Sequence, residues 1–314
     1  MAKRAFSALR NKPAGYRNTM LGKLGFNFYD VFVYAFCILF AILYVYPMWY
    51  VLVSSITPYS EYIKGGLMLL PTGGIDLQYY RAIFSTKAFT NSMWISVSKT
   101  FLATTLSMLI TSTMAYACSK SHVRGMKLIN ALVVFVLFFT GGLIPQYMLY
   151  KGLGLLRTFW VMVLPSGLNI VYFVIMRNYF SYSVPKELEE AALIDGCTEV
   201  GVFFRIIIPI SRSMLAAVAL FIAVINWNDY YSYMMFISNK TNLQPFVWIL
   251  RRMLVDQSMM NQVRNGAVSI GLTLPPPMAL RMATIICAML PIMIVYPFLQ
   301  PYFTSGITLG AIKE

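Results

Sequence analysis

Long apolar segments are the feature that most limits what this 314-residue chain can fold into. Six of them are long enough to cross a hydrocarbon core of about 30 Å as helices. A lone span in lipid must satisfy its own backbone hydrogen bonds, and a helix does so. We therefore predict an all-α integral membrane protein with six transmembrane helices, at Val31–Val53, Ser92–Cys118, Leu128–Tyr150, Thr158–Tyr179, Ser213–Ile237 and Met282–Phe303.

The composition excludes a soluble enzyme. The chain is 59% hydrophobic and 11% charged, whereas a soluble domain is roughly 45–50% apolar and about 25% charged. The net charge of +14 does not indicate nucleic-acid binding, because most of the 25 Lys and Arg residues lie between the apolar segments. In a membrane protein such charges set the topology and contact anionic lipid headgroups.

The distribution of basic residues predicts the orientation. Residues 1–28 carry six basic residues and no acid, which indicates a cytoplasmic tail. With six spans in residues 29–310, the short C-terminus, 311–314, is cytoplasmic as well. The last external segment contains five basic residues, which would by themselves favour a cytoplasmic location. The rule that basic residues stay inside applies mainly to short loops, however, and this segment is long. Two external segments are long enough to hold helices of their own, Thr57–Asn91 and Ser238–Arg281.

The sequence contains little that would indicate metal binding or ATP hydrolysis by this chain. The four cysteines have no CxxC spacing, and His122 is the only histidine. We therefore expect no metal site and no catalytic residues. No GxxxxGK[ST] phosphate-binding loop occurs, so this chain cannot hydrolyse ATP by that route.

The most acidic segment of the chain is residues 181–212, which contains five carboxylates. Pro185 suits the first turn of a helix, and Ser183 is a plausible N-cap. Asp195-Gly196 ends that helix. Thr198 can cap a second helix, which Pro209 ends.

Both helices are predicted to be amphipathic. Apolar residues recur at helical spacing, and they are Leu188, Ala191 and Ala192 in the first helix and Val200, Phe203, Phe204 and Ile207 in the second. Such a pair suits a groove on a partner protein. From periodicity alone, an interfacial segment that lies against the protein's own spans is equally possible.

A spacing motif in this segment resembles a known family. Glu190-Ala191-Ala192, three residues, Gly196, nine residues and then Ile206–Pro209 look like the EAA loop of binding-protein-dependent ABC importer permeases. Only Ile208 departs from the family pattern, which has leucine there. Further similar segments are Phe138–Tyr147, Pro185–Gly196, Asn226–Asp229 and the last span through to the C-terminus. They resemble the polysaccharide and oligosaccharide branch of the maltose-type carbohydrate uptake family.

The resemblance implies a MetI-like permease core with cytoplasmic coupling helices. Glu190 would contact a separate ATPase, Gly196 would form the turn, and Ala191 and Ala192 would allow close approach. The other residues assigned to this coupling loop are Asp195, Phe203, Phe204 and Pro209.

The resemblance also implies partners and a location. The expected partners are a second homologous permease, a cytoplasmic ABC ATPase dimer, an extracellular solute-binding lipoprotein and an oligosaccharide. ATP and Mg would be used by the ATPase, and no cofactor is expected on this chain. The location would be the bacterial cell membrane, with both termini cytoplasmic.

A polar interruption in the fifth span is the main candidate for the substrate pathway. An acid in a span is costly and normally faces a cavity or a partner, so Asp229 is the leading residue there. The alternative is that Asp229 lies near the outer interface and is paired structurally. Lys99, in the second span, is interpreted as snorkelling to the interface. The remaining candidates are Asn226, Trp227, Asn228 and Tyr230, with Asn169 and Tyr172 in the fourth span.

Three other functions remain open at this point. An ABC permease for a non-sugar solute would share the same loop. A secondary transporter would work without ATP and would need buried coupling charges. A membrane-embedded transferase would need clustered catalytic acids, whereas the acids here lie mainly on the amphipathic helices.

Overall fold

The computed structural model describes residues 28–62, 64, 69–71, 73–120, 123–238, 240–271 and 277–310. Every regular element in these residues is a helix. The predicted basic tail lies outside the described residues except for Phe28, as do the C-terminal segment 311–314 and His122. The chain forms two compact units, Met1–Asp76 and Leu77–Glu314.

The first unit contains the first predicted span. Helix α1 runs over Phe28–Ile56 and is followed by the short helix α2, Tyr59–Tyr62. The segment Val31–Ile56 has a mean hydropathy of 2.2, enough to cross a membrane as a helix. The indole N–H of Trp49 in α1 donates to the carbonyl of Leu69 at 2.8 Å.

The second unit contains the remaining helices. They are α3 Gln78–Ser85, α4 Lys87–Ser119, α5 Met126–Phe138, α6 Leu143–Gly152, α7 Ile170–Tyr182, α8 Lys186–Ile194, α9 Glu199–Ile210, α10 Arg212–Asn228, α11 Tyr231–Phe236, α12 Phe246–Val255, α13 Gln257–Ser269 and α14 Pro277–Gly310. Two short 3₁₀ turns, Phe159–Met162 and Leu164–Gly167, lead into α7.

The number of spans depends on how bent helices are counted. Four segments of the described chain are long and apolar enough to cross a membrane, and two bent pairs raise the number to six. The first bent pair is α5 and α6, which together correspond to the third predicted span. These two helices are bent by 118° relative to each other, at a break that contains Gly142 with a φ of +82°. The second bent pair is α9 and α10, which are bent by 83° relative to each other. The fifth predicted span is shorter than expected, because α10 ends at Asn228 and does not continue to Ile237.

Helix α4 is an inverted amphipathic span. Many of its polar residues face the protein interior, and Ser92, Ser96, Lys99, Ser107 and Thr111 are all at most 1% exposed. Several of its large apolar residues, such as Trp94 and Phe101, face outward. Small hydroxyl residues let neighbouring helices approach closely in a membrane, and α4 packs against α7 and α10.

The two segments that the sequence predicts to be external hold short helices, as expected. Helices α3, α12 and α13 pack with the start of α14 around a buried cluster that includes Tyr79, Phe246, Met253 and Met260. The backbone N–H of Phe246 also donates to Ser96 Oγ at 2.7 Å, which ties α12 to the beginning of α4. This cluster therefore lies at the α4 end opposite to the coupling loop described next.

Candidate functional site

The predicted coupling loop, residues 181–212, forms two short helices joined by a tight turn. Gly196 has a φ of +86°, in the left-handed region that favours glycine. A Cβ at this position would meet no atom within 4 Å, so only the backbone conformation requires glycine. Thr198 Oγ1 accepts the backbone N–H of Gly201 at 3.1 Å and caps α9. The predicted break and the predicted cap are both confirmed.

Two sequence expectations about the helix ends are wrong. Pro185 itself occupies the N-cap position of α8, so Ser183 is not the cap. Pro209 does not end the second helix, since α9 continues to Ile210 and the chain turns at Ser211. The segment Phe203–Ile207 is π-helical. This wider turn before Pro209 accommodates a ring that would clash in a regular α-helix.

The apolar residues of the loop divide between two faces. Phe203 and Ile207 are buried in the inner core together with Ala192. Phe204 and Val200 instead expose 53% and 66% of their surfaces. The exposed residues of α8 include Leu188, Glu190 and Ala191. The loop is therefore packed on one side against its own spans and presents an apolar and acidic surface on the other.

The buried face of the loop is attached to the end of α4. Lys120 forms an ion pair with Glu189 of α8, and both side chains are less than one fifth exposed. The ammonium of Lys120 also lies 4.5 Å from the ring centroid of Tyr116. The Tyr116 ring in turn contacts Phe203 of α9, at 5.0 Å between centroids. Both coupling helices thus contact one turn of α4.

The pKa of Lys120 lies below its usual value at this attachment. Burial lowers the pKa of Lys120, the nearby carboxylate of Glu199 raises it, and Lys186 lowers it further. Lys120, Glu199, Phe203 and Phe204 line a cavity of about 380 Å³ between α4 and α9. On the outer side, a groove of about 620 Å³ runs along the turn from Asp195 to Arg205 and includes Gly196 and Phe204.

The fifth-span candidates have several internal hydrogen bonds. Asn226 is 5% exposed, and its side chain accepts from Ser166 Oγ at 3.0 Å and donates to the Ile222 carbonyl at 2.9 Å. Trp227 is buried and donates to the carbonyl of Ala288 at 3.1 Å. Its ring borders a largely apolar cavity of about 380 Å³ that Thr100 and Thr104 also line.

Asn228 and Asp229 lie where α10 ends. Asn228 is exposed, and its side chain donates to the Val224 carbonyl at 2.9 Å. Asp229 Oδ2 is 2.7 Å from Lys99 Nζ. Asp229 Oδ1 accepts the backbone N–H of Ser232 at 3.1 Å. The interpretation of Lys99 as a snorkelling residue is wrong, because its side chain is 1% exposed and paired inside the protein.

The fourth-span candidates belong to the entry of α7. Asn169 caps this helix by accepting the backbone N–H of Tyr172 at 3.2 Å. Its own N–H donates to Thr111 Oγ1 at 3.3 Å. The Tyr172 ring stacks on Phe221 of α10, with centroids 6.2 Å apart and planes 7° from parallel. The structure thus connects the fourth-span and fifth-span candidates through α10.

Two lysines that were not among the predicted site residues, Lys99 and Lys120, form ion pairs with Asp229 and Glu189. Lys99 and Lys120 lie 21 positions apart on α4 and its end, a distance of about 32 Å at 1.5 Å per residue. The Lys99–Asp229 pair and the Lys120–Glu189 pair therefore mark opposite ends of one span. The sequence does contain an indication of the Lys99–Asp229 pair, because Lys99 and Asp229 are each a lone charge within an apolar segment.

Comparison with known proteins identifies the family of this chain. Residues 126–309 match the family model described as binding-protein-dependent transport system inner membrane component. The matched region contains the whole coupling loop.

Individual relatives cover nearly the whole chain. A Bacillus subtilis polygalacturonan/rhamnogalacturonan transport system permease protein, YtcP, is 35% identical over 91% of this chain and 98% of its own length. The B. subtilis protein LplC is 37% identical over 85% of this chain and 88% of its own. An arabinooligosaccharide transport system permease protein, AraQ, from Halalkalibacterium halodurans is 28% identical over 86% of this chain and 91% of its own.

A solved structure has the same fold. A chain in the crystal structure of a bacterial ABC transporter involved in the import of the acidic polysaccharide alginate superposes with a TM-score of 0.79. The sequences are 27% identical, and the match covers 88% of this chain and 99% of that chain.

Proposed function

Since the chain belongs to the family of binding-protein-dependent transport system inner membrane components, we propose that it is a permease subunit of an ATP-driven importer of oligosaccharides. The relatives named above for polygalacturonan, rhamnogalacturonan and arabinooligosaccharide transport support a saccharide substrate. The family is one of transport components, and the chain carries no phosphate-binding loop of the GxxxxGK[ST] type.

The observation that carries the proposal is the exposed surface of the coupling loop. Glu190, Val200 and Phe204 are exposed, and Val200 and Phe204 line the groove that runs from Asp195 to Arg205. A surface that carries both acidic side chains and an exposed aromatic ring suits a mixed polar and apolar cleft on another protein. We assign this surface to contact with a cytoplasmic ATPase, which binds ATP and Mg.

Because the loop is attached to α4, contact between the loop and the ATPase would transmit movement to α4. Movement of the loop acts on α4 through the Lys120–Glu189 pair and the Tyr116–Phe203 ring contact. Because α4 is one continuous helix, a displacement at this end reaches the Lys99–Asp229 pair at the other end. We propose that closure of the ATPase changes access at the outer side by this path. Asn226–Tyr230, with Asn169 and Tyr172, remain the proposed substrate pathway.

The remaining assignments follow from the family. The partners are a second permease and an extracellular solute-binding protein, and the chain spans the cell membrane with both termini in the cytoplasm. The basic tail supports this orientation, since it carries six positive charges before the first acid. With this orientation the coupling loop is cytoplasmic, and α12 and α13 are external.

The test is purification of the assembled transporter with an affinity tag on this chain. We expect a second permease and an ATPase to co-purify and to import an oligosaccharide into proteoliposomes with ATP. Glu190→Lys should reduce both recovery of the ATPase and uptake, because it reverses a charge on the exposed face of α8. Glu190→Gln, which keeps the shape, separates loss of charge from its reversal. Uptake by the purified chain alone, without ATP, would contradict the proposal.

A further inference from the structure

An arginine and three aromatic rings form a cluster immediately after the fifth span. The guanidinium carbon of Arg251 lies 4.4 Å from the ring centroid of Tyr230. The Tyr230 ring is stacked on Trp248 with centroids 6.4 Å apart, and Trp248 contacts Tyr233 at 5.5 Å. Tyr233 is fully buried, whereas Arg251 is exposed. The cluster thus has a buried base and a charged outer end.

The helix that carries Arg251 is held firmly. Ile249 and Met253 of α12 are fully buried in the external helix cluster. The first residue of α12, Phe246, is hydrogen-bonded to Ser96 of α4. Arg251 therefore projects from a fixed helix, and the Tyr230 ring restricts its guanidinium further. A planar guanidinium stacked on a ring keeps its N–H edges available for a carboxylate.

Arg251 has no carboxylate partner among the described residues, whereas the neighbouring arginine does. Arg252 is 2.9 Å from Asp256 Oδ2. Hydrogen bonds from Ser258 and then from Arg252 hold the pKa of Asp256 below its usual range, so Asp256 remains charged and paired at neutral pH. The acid in the vicinity is therefore already engaged, and Arg251 keeps its charge for a ligand.

The surroundings of Arg251 favour an anion. The external segment 238–281 contains five basic residues and one acid, which leaves it strongly positive. Tyr230 directly follows Asp229, whose carboxylate is paired with Lys99. The Arg251 cluster consequently lies beside the proposed substrate pathway, at the end of α4 remote from the coupling loop.

We propose that Arg251, held on Tyr230 and Trp248, binds a carboxylate of an acidic oligosaccharide at the outer end of the pathway. This inference rests on the proposed function and narrows its substrate class to uronate-containing chains. A uronate ring has a carboxylate and an apolar C–H face. The guanidinium provides a bidentate partner for the carboxylate. The partly exposed aromatic rings beside it provide a surface for the apolar C–H face of the sugar.

The test compares two forms of one substrate in the assembled transporter with its binding protein in proteoliposomes. The probes are labelled oligogalacturonates of two to six residues and their neutral methyl esters. Arg251→Gln should raise the half-saturating concentration of the acidic form about tenfold, which corresponds to about 1.4 kcal/mol of lost binding free energy. The ester should change less than about twofold.

A matched control removes the same charge from the same side. Arg81 of α3 is also an exposed external arginine, so Arg81→Gln tests whether any loss of positive charge has the effect. Equal loss of acidic and neutral uptake in Arg251→Gln would overturn the inference, and recovery with excess binding protein would show that Arg251 contacts that protein instead. If the wild-type transporter takes up the neutral ester but not the acidic form, the inference is overturned and the proposed function is left intact. Absence of all ATP-dependent uptake by wild type would contradict the proposed function and this inference together.

Discussion

Lys99 Nζ lies 2.7 Å from Asp229 Oδ2 and 2.6 Å from the backbone carbonyl oxygen of the same residue. The lysine is 1% exposed and the aspartate 23%. One ammonium thus contacts both the side chain and the backbone at the point where α10 ends. The pair fixes the end of the fifth span against the second span, and it satisfies a backbone acceptor that the helix leaves open there.

Removal of one partner should destabilise the protein. We expect Asp229→Asn to cost about 3–5 kcal/mol, because the Lys99 ammonium would stay buried without its counter-charge. The measurement is thermal unfolding of the purified complex. Lys99→Met combined with Asp229→Leu should recover most of the loss, since an apolar pair removes both charges. Asp256→Asn, which breaks an exposed pair with Arg252, is the control and should change the unfolding temperature little.

The Lys120–Glu189 pair should be exchangeable. Glu189→Lys places two ammonium groups together in a half-buried site and should lower uptake and substrate-stimulated ATPase activity. The expected loss of stability is about 2 kcal/mol, as for a charged hydrogen bond. Lys120→Glu combined with Glu189→Lys restores opposite charges and should recover both activities. If the double variant is no better than the single variants, the two side chains do not act as a pair.

Gly196 should tolerate a side chain poorly although space is available. We expect Gly196→Ala to destabilise the coupling loop by about 1–2 kcal/mol, because a non-glycine residue is strained at a φ of +86°. Gly152→Ala is the matched control, since a Cβ there also meets no atom within 4 Å and its φ is not positive. Protease sensitivity of the loop and uptake should change in the first variant only. Equal behaviour of both variants would argue against the conformational explanation.

Adjacent phenylalanines in α9 should have different roles. Phe203 is 4% exposed, so Phe203→Ala should cost about 3–5 kcal/mol through the cavity it creates. Phe204 is 53% exposed, so Phe204→Ala should leave the unfolding temperature nearly unchanged and reduce ATPase co-purification. Thermal unfolding and subunit recovery from the same preparations provide the two readouts. Normal ATPase recovery with Phe204→Ala would remove this ring from the docking surface.

The class of protein, most span positions, the turn at Gly196 and the cap at Thr198 could all be predicted from the sequence. These features depend on local properties, namely apolar length, spacing and backbone conformation, which neighbours in the sequence define. The sequence also located the external helices within Thr57–Asn91 and Ser238–Arg281. The spacing motif from Glu190 to Pro209 is enough to indicate the family, because the spacing is a property of the sequence alone.

The pairing of residues that are distant in the sequence could not be predicted and became visible in the folded chain. Lys99 and Asp229 are 130 positions apart, and Lys120 and Glu189 are 69 apart. No local pattern shows that these charges meet, since pairing depends on how α4 packs against α10 and α8. The same holds for the division of Phe203 and Phe204 between core and surface. Helical periodicity fixes the angle between two side chains, but the neighbouring spans determine which of them is covered.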